Sequence, residues 1–367
     1  MRHIHHSPSC TAIPDHILRH VAAHGDEASR ANVEATLHQT VQIARDRAEA
    51  RVEIPNGAAA MATSRREVYD AHHGRALPGK LVMNDQNTTS NDVEAMEAFQ
   101  GAVATDDFFT RVFGRNSIDD KGMTIRSTVH YGTKFDNAMW DGKQMIYGDG
   151  DGKLFNRFTA AVDVIGHELT HGVTQNEAAL EYSGQSGALN EHISDAFGIM
   201  VKQHALGQIA SQSDWLIGAG LLGPSVRGKA IRSMKAPGTA YNDPVLGRDP
   251  QPAHMRNYVN TVDDNGGVHI NSGIPNRAFY LAATELGGFV WIVLGGLWYR
   301  VLKYMLFPHA GFQDFATATV SAAGAKYGLG GTVQTAIAYA WSQVGLPVPA
   351  LLMRQAPPPL PGPQQFL

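Results

Sequence analysis

The chain of 367 residues has one cysteine, Cys10, so no intrachain disulfide can brace it. It also lacks charge of one sign. Thirty basic side chains against 34 acidic ones leave a formal net charge of −4, and no positive field that would hold a nucleic-acid backbone. Long apolar runs are missing too. The N-terminal stretch has no apolar run of the length, about seven residues, that a conventional secretory signal needs. The one membrane-like stretch, 286–299, contains 14 uncharged residues, four of them glycine. That falls short of the roughly 18–20 residues of a spanning helix and reads as buried core. With 43% hydrophobic and 17% charged residues, the chain is a soluble globular protein with a large core. Its 17 histidines outnumber its 11 tyrosines, which directs attention to metal chemistry.

Residues 13–50 place apolar side chains at Ile17, Leu18, Val21, Val33, Leu37, Val41 and Ile43, the spacing of one or two amphipathic helices. A turn-prone link follows at Pro55-Asn56-Gly57. From 67 to 152 short β-like runs lie between turn signals, with one helical stretch at 92–113. Beyond 163 the periodicity is helical, and 347–367 carries seven prolines, which can continue neither a helix nor a ladder. No internal repeat is present. The expected organisation is a helical segment at 1–60, a strand-rich lobe at 61–162, a helical lobe at 163–346 and a proline-rich tail at 347–367, making an α+β chain.

The sharpest signal is His167-Glu168-Leu169-Thr170-His171. Residues four apart on a helix face one way, so both imidazoles can reach one ion while the glutamate beside the first reaches a water on it. Alone, the pattern also fits a helix with two surface histidines. Val162, Val164, Ile165 and Leu169, however, make this an interior helix, where two unpaired histidines would be costly. Further on, Glu191 and Asp195 are themselves four apart. One helix face can therefore offer a carboxylate to the metal and another to the free ring nitrogen of a ligating histidine. His192 projects about 100° away from Glu191 and is not counted as a ligand.

Across 66–346 the chain resembles the thermolysin-like zinc metallopeptidases, through DNAMWDGKQMIYGDGDG (136–152), VIGHELTHGVT (164–174), SGALNEHISDAFG (186–198), IRSM (231–234) and DNGGVHINSGIPNRAFYL (264–281). The resemblance implies a two-lobed fold with the zinc helix on the floor of the cleft, and cleavage of extended peptides. It implies zinc ligands His167, His171 and Glu191, with Asp195 bonded to His167 and Glu168 as general base acting on a zinc-activated water. By the same carry-over His269 and Tyr182 stabilise the tetrahedral oxyanion, with Asp264 orienting His269. Asn137 and the backbone of Ala138 would pair with substrate, Arg232 would bind a substrate carbonyl, and Phe158, Val164, Ile217 and Ile231 would line an apolar pocket. That pocket implies cleavage before bulky hydrophobic residues.

Two departures stand out. Asp163 and Asp214 match two carboxylates of thermolysin's double calcium site, but the other matching positions are Lys202, Leu216 and Ala219, so that site is expected to be absent. Asp149 and Asp151 in the 148–152 loop could still take calcium, although a glycine-rich turn is the simpler reading. The front of the chain resembles the protealysin-like subgroup, whose short propeptide carries an Ile-Pro-Pro-x-Ile-Leu motif, read here as Ile13-Pro14-Asp15-His16-Ile17-Leu18. Residues 1–60 are expected to cover the cleft until clipped near 55–66. Cys10 or His16 has the chemistry to reach the zinc; a hydrophobic plug of Ile13, Pro14, Ile17 and Leu18 is the competing reading. The family is mainly secreted, which implies secretion here, with a cytoplasmic location as the alternative. A non-catalytic zinc-bearing binding module and a membrane protein anchored through 286–307 are the competing classes.

Overall fold

The structure, a computed structural model, describes residues 10–50 and 65–349. Most of the 55–66 link and the tail from 350 onward lie outside the described residues. The N-terminal segment contributes a two-residue strand β1 (Cys10–Thr11) and two helices, α1 (Asp15–His24) and α2 (Glu27–Ala50). Pro14 caps α1 with φ −61°, the value its ring fixes, and Ile17, Leu18 and Val21 form the buried stripe expected from their spacing.

The strand-rich lobe holds β2 (Arg66–Asp70), β3 (Lys80–Asn84), α3 (Val93–Phe113), β4 (Ile125–Val129), β5 (Ala138–Trp140) and β6 (Met145–Tyr147). They build one mixed sheet in the order β1-β5-β6-β4-β2-β3. The core strands β2, β4 and β6 run parallel, while β5 is antiparallel to β6 and β1 is antiparallel to β5, with Cys10 opposite Trp140. Helix α3 begins where the sequence signal places it, with Asp92 Oδ1 accepting the Ala95 N–H at 3.2 Å, and stops at Gly114 in the left-handed conformation (φ 68°).

The remaining chain is helical: α4 (Val162–Asn176), α5 (Gly184–Leu206), α6 (Asp264–Asn271), α7 (Gly273–Leu286), α8 (Gly296–Tyr304), α9 (Phe312–Tyr327) and α10 (Thr332–Gln343). Two short ribbons, β7 (Leu216–Ile217) with β8 (Arg232–Ser233) and β9 (Asn242–Asp243) with β10 (Gly247–Arg248), interrupt it after α5. The stretch 286–299 is only partly the buried core the sequence suggests. Gly287 and Gly288 break it with positive φ, and a π-helical turn (Trp291–Gly295) leads into α8. Val290, Leu294, Leu297 and Trp298 are buried, whereas Ile292 is 60% exposed. Among the described residues no helix is long and apolar enough to cross a membrane.

The N-terminal segment docks on both lobes. Asn32 donates to Asp136 Oδ2 at 2.6 Å, Thr36 accepts from the Asp136 N–H at 3.1 Å, and Lys153 pairs with Asp26. On the helical side, His20 Nδ1 lies 2.8 Å from the Val245 carbonyl and His16 Nε2 lies 3.2 Å from the Tyr241 hydroxyl.

This docking leaves Asp136 fully buried. Burial, helped by the Asp151 charge and opposed by Asn32 and Lys134, pushes its carboxyl up to about 8. Because the folded pKa lies above the unfolded one, the proton stabilises the fold fully below about pH 4, and that contribution is lost as pH rises through about 8. Asp136→Asn should therefore flatten the fall in Tm between about pH 5 and 8 in a thermal melt series. An unchanged slope would assign the pH dependence to other groups.

Candidate active site

The site exists because α4 and α5 approach closely. A Cβ placed on Gly198 would lie 2.4 Å from the Asp163 carbonyl and 3.1 Å from the His167 nitrogen, so only glycine allows this separation. Across that contact α4 presents His167, Glu168 and His171, and α5 presents Glu191 and Asp195, all fully or nearly fully buried. The two Nε2 atoms of His167 and His171 stand 3.1 Å apart. Each is 3.4 Å from a Glu191 oxygen.

Those separations fit a metal. Ligand–metal distances of about 2.0–2.1 Å in a tetrahedron give ligand–ligand edges of about 3.3–3.4 Å. Two imidazole nitrogens 3.1 Å apart in a dry interior share either a proton or a metal ion, and the Glu191 carboxylate beside both adds a third donor atom. The outer nitrogens are already held. His167 Nδ1 lies 2.8 Å from Asp195 Oδ1, and His171 Nδ1 lies 2.8 Å from Asn190 Oδ1 and 3.1 Å from Ser194 Oγ. With Nδ1–H donated outward, each Nε2 lone pair points at the shared space. Although burial opposes it, the imidazoles of His269, His171 and His167 hold the Glu191 carboxyl well below its ordinary range. Two imidazoles and a carboxylate are a donor set for zinc.

Glu168 accepts the Trp140 N–H at 3.1 Å through Oε2, while its buried Oε1 has no partner. Burial pushes this carboxyl up to about 8. Opposite stand Tyr182 and His269, with the hydroxyl 3.2 Å from His269 Nε2 and donating to Glu191. His269 is aimed by a left-handed turn over 264–267, where even Asp264 and Asn265 have φ of 51° and 53°. The turn lets one carboxylate take both the His269 N–H (2.9 Å) and Nδ1 (2.6 Å). Arg232 grips Asp195 with Nε (2.9 Å) and Nη2 (2.8 Å), leaving Nη1 buried without a partner. Asp195 is thereby shared between His167, Arg232 and the Asn276 amide, which donates at 2.8 Å.

The remaining sequence-derived residues fall into three groups. Asn137 immediately precedes β5 and Ala138 begins it, next to the edge strand β1. Asn137 Oδ1 accepts the Ile13 N–H at 2.9 Å, Asn137 Nδ2 donates to the Ile13 carbonyl at 3.2 Å, and the Ala138 carbonyl accepts the Ala12 N–H at 2.9 Å. Phe158, Val164, Ile217 and Ile231 are buried in the main hydrophobic cluster that also holds Ile13, Ile17 and Leu18. Cys10 and His16 do not join the His167–His171–Glu191 group: Cys10 sits in β1, and His16 turns to Tyr241. His192 lies between Asn276 (2.8 Å) and the Trp298 indole (2.9 Å), away from the metal group. Asn190, Ser194 and Asn276 are not among the residues to which the sequence points. Asn190 and Ser194, four apart beside Glu191 and Asp195 on an interior helix, do carry a signal of their own in that spacing.

Comparison with known proteins identifies the family of the chain. Residues 34–175 match the thermolysin metallopeptidase catalytic domain and 178–346 the thermolysin metallopeptidase alpha-helical domain. The chain is 48% identical to an extracellular metalloprotease of Pectobacterium carotovorum subsp. carotovorum over 93% of its own length and 97% of that protein. Identity to Protease PrtS of Photorhabdus sp. (strain Az29) is 43%, covering 92% of each chain. Among solved structures, the precursor of protealysin, a metalloproteinase from Serratia proteamaculans, superimposes with a TM-score of 0.83 at 46% identity, covering 92% of this chain and all of that one.

Removing the outer support of one histidine tests the metal geometry. Asn190→Ala should lower zinc affinity about 10- to 100-fold in competition with a chromogenic chelator, with the fold retained by circular dichroism. Unchanged affinity would mean that Ser194 alone orients His171.

Proposed function

We propose that this chain, which belongs to the thermolysin metallopeptidase family, is the auto-inhibited precursor of a zinc-dependent neutral endopeptidase with Glu168 as general base. The observation that carries the reading is the buried, unpartnered Glu168 Oε1 in the residue next to His167, within the turn that supplies two of the three metal-donor atoms. His167, His171 and Glu191 would hold the zinc. Bound there, zinc supplies Lewis acidity that acidifies a water and polarises a peptide carbonyl.

The chain's own groups do the rest. Glu168 takes the proton of the attacking water and returns it to the departing amine. Tyr182 and His269, 3.2 Å apart, converge as donors on the oxygen that becomes negative. Asp264 fixes the His269 ring, and Asp195 fixes both His167 and Arg232. The free Nη1 of Arg232 is the donor available to a substrate carbonyl. Buried Phe158, Val164, Ile217 and Ile231 support a preference for cleavage before bulky hydrophobic residues.

Inhibition follows from where the N-terminal segment lies. Strand β1 and the Ile13 backbone take the Asn137 and Ala138 groups that an extended peptide would pair with by strand addition. Residues 1–60 act as a propeptide that combines this pairing with a hydrophobic plug of Ile13, Pro14, Ile17 and Leu18. This position favours the plug over metal ligation by Cys10 or His16. Lys202 Nζ lies 3.1 Å from Asp163 Oδ2, 3.0 Å from Asp214 Oδ2 and 3.3 Å from the Leu216 carbonyl, which supports an ammonium in place of the double calcium site. The extracellular designation of the Pectobacterium relative supports secretion, and peptides or proteins are the substrates.

Two outcomes are expected. Glu168→Ala should lower kcat for peptide hydrolysis by about 10²–10⁴-fold at retained zinc content, and a zinc chelator should abolish activity of the parent; hydrolysis by the variant at the parent rate would remove Glu168 from the mechanism. Limited proteolysis that releases residues 1–60 should raise activity on the order of tenfold or more, as for any tethered occupant of a cleft. Equal activity before and after cleavage would end the inhibitory reading.

A further inference from the structure

Three parallel strands, β2, β4 and β6, end on the same side of the sheet, and the residues just after them carry His73, His130 and Asp149. Backbone bonds stitch these loops together: the His73 N–H donates to the His130 carbonyl at 2.9 Å, and the Tyr131 N–H to the Tyr147 carbonyl at 3.1 Å. One carboxylate stands between two imidazoles. Asp149 Oδ1 is 2.9 Å from His130 Nδ1, and Asp149 Oδ2 is 3.2 Å from His73 Nδ1. One ligand atom from each of the three residues lies within 4.8 Å of the others.

The other face of His130 is also held. Its Nε2 lies 3.0 Å from Asp92 Oδ2, while the second Asp92 oxygen caps α3. A histidine with a carboxylate on its outer nitrogen and its inner nitrogen toward a shared acidic group has the carboxylate–histidine–metal arrangement. Both His73 and His130 adopt left-handed backbone, with φ of 58° and 53°, which residues other than glycine rarely occupy. That strained conformation brings two imidazoles to one carboxylate. Asp151 plays no part, since its Oδ1 accepts the Lys153, Leu154 and Phe155 N–H groups.

We propose that His73, His130 and Asp149 form a second, structural metal site for a borderline divalent ion such as zinc, separate from the catalytic centre. Two nitrogens and one oxygen select zinc over calcium, which prefers oxygen alone. His73 is 60% exposed and His130 and Asp149 are partly exposed, so solvent completes the coordination. The ion takes the place of the protons now shared between Asp149 and the two rings. Its effect is to clamp three loops, one of which reaches the substrate edge, where the Gly148 N–H donates to the Asn137 carbonyl at 3.0 Å.

The full chain, dialysed against micromolar zinc and desalted, tests this by elemental analysis. The parent should retain about two zinc ions per chain and His73→Asn about one. Asparagine tolerates the left-handed backbone, so the variant removes the imidazole without removing the turn. His130→Asn should lose the same ion, and zinc added in excess of the catalytic equivalent should raise the parent's Tm but not that of either variant. A parent holding one zinc, or a His73→Asn variant holding two, would overturn the site.

Discussion

Two imidazole nitrogens 3.1 Å apart in a dry helix–helix contact are the constraint on which the rest of the structure turns. An ion held between them needs outer partners that fix both rings. The buried polar groups of the α4–α5 interface are those partners, with Asp195 on His167, and Asn190 and Ser194 on His171. Arg232 and Asn276 in turn satisfy Asp195, so the polar network extends from the metal donors to β8 and α7. These contacts give partners to several groups that would otherwise be buried without one, while Arg232 Nη1 is left open.

Most of this arrangement is legible in the sequence because a helix converts spacing into direction. His167 with His171, and Glu191 with Asp195, are four apart on interior helices, and their convergence needs only that the two helices touch. Spacing does not reveal the partner across a contact. The family resemblance puts Asp195 on His167, but its simultaneous grip on Arg232 depends on where β8 lies, and the link from Trp140 to Glu168 depends on the register of β5 over α4. The pairing of His130 with Asp92 and Asp149 is hidden for the same reason, being set by sheet order rather than by local pattern.

The fold shows the same division. Helix α3 lies where the sequence signal places it, and the helices from α4 onward fall in the stretch beyond 163 that reads as helical. In helix α10 the buried face combines Gln334, Ala336 and Ala340 with Ile337 and Trp341. Strands β7 to β10 are two residues long, too short for alternation to register. Strand β1 is equally short, and its existence depends on β5, more than a hundred residues away.

That last pairing has a further side. While β1 is in place, β5 is an interior strand with both ladders occupied. Were the N-terminal segment released as proposed, β5 would become the rim of the sheet, with backbone donors and acceptors open to an extended chain. An open rim that could take an extended peptide could also take a second sheet, which is the general hazard of exposed edges. The shortness of β5, three residues from Ala138 to Trp140, then limits how much foreign chain it can template.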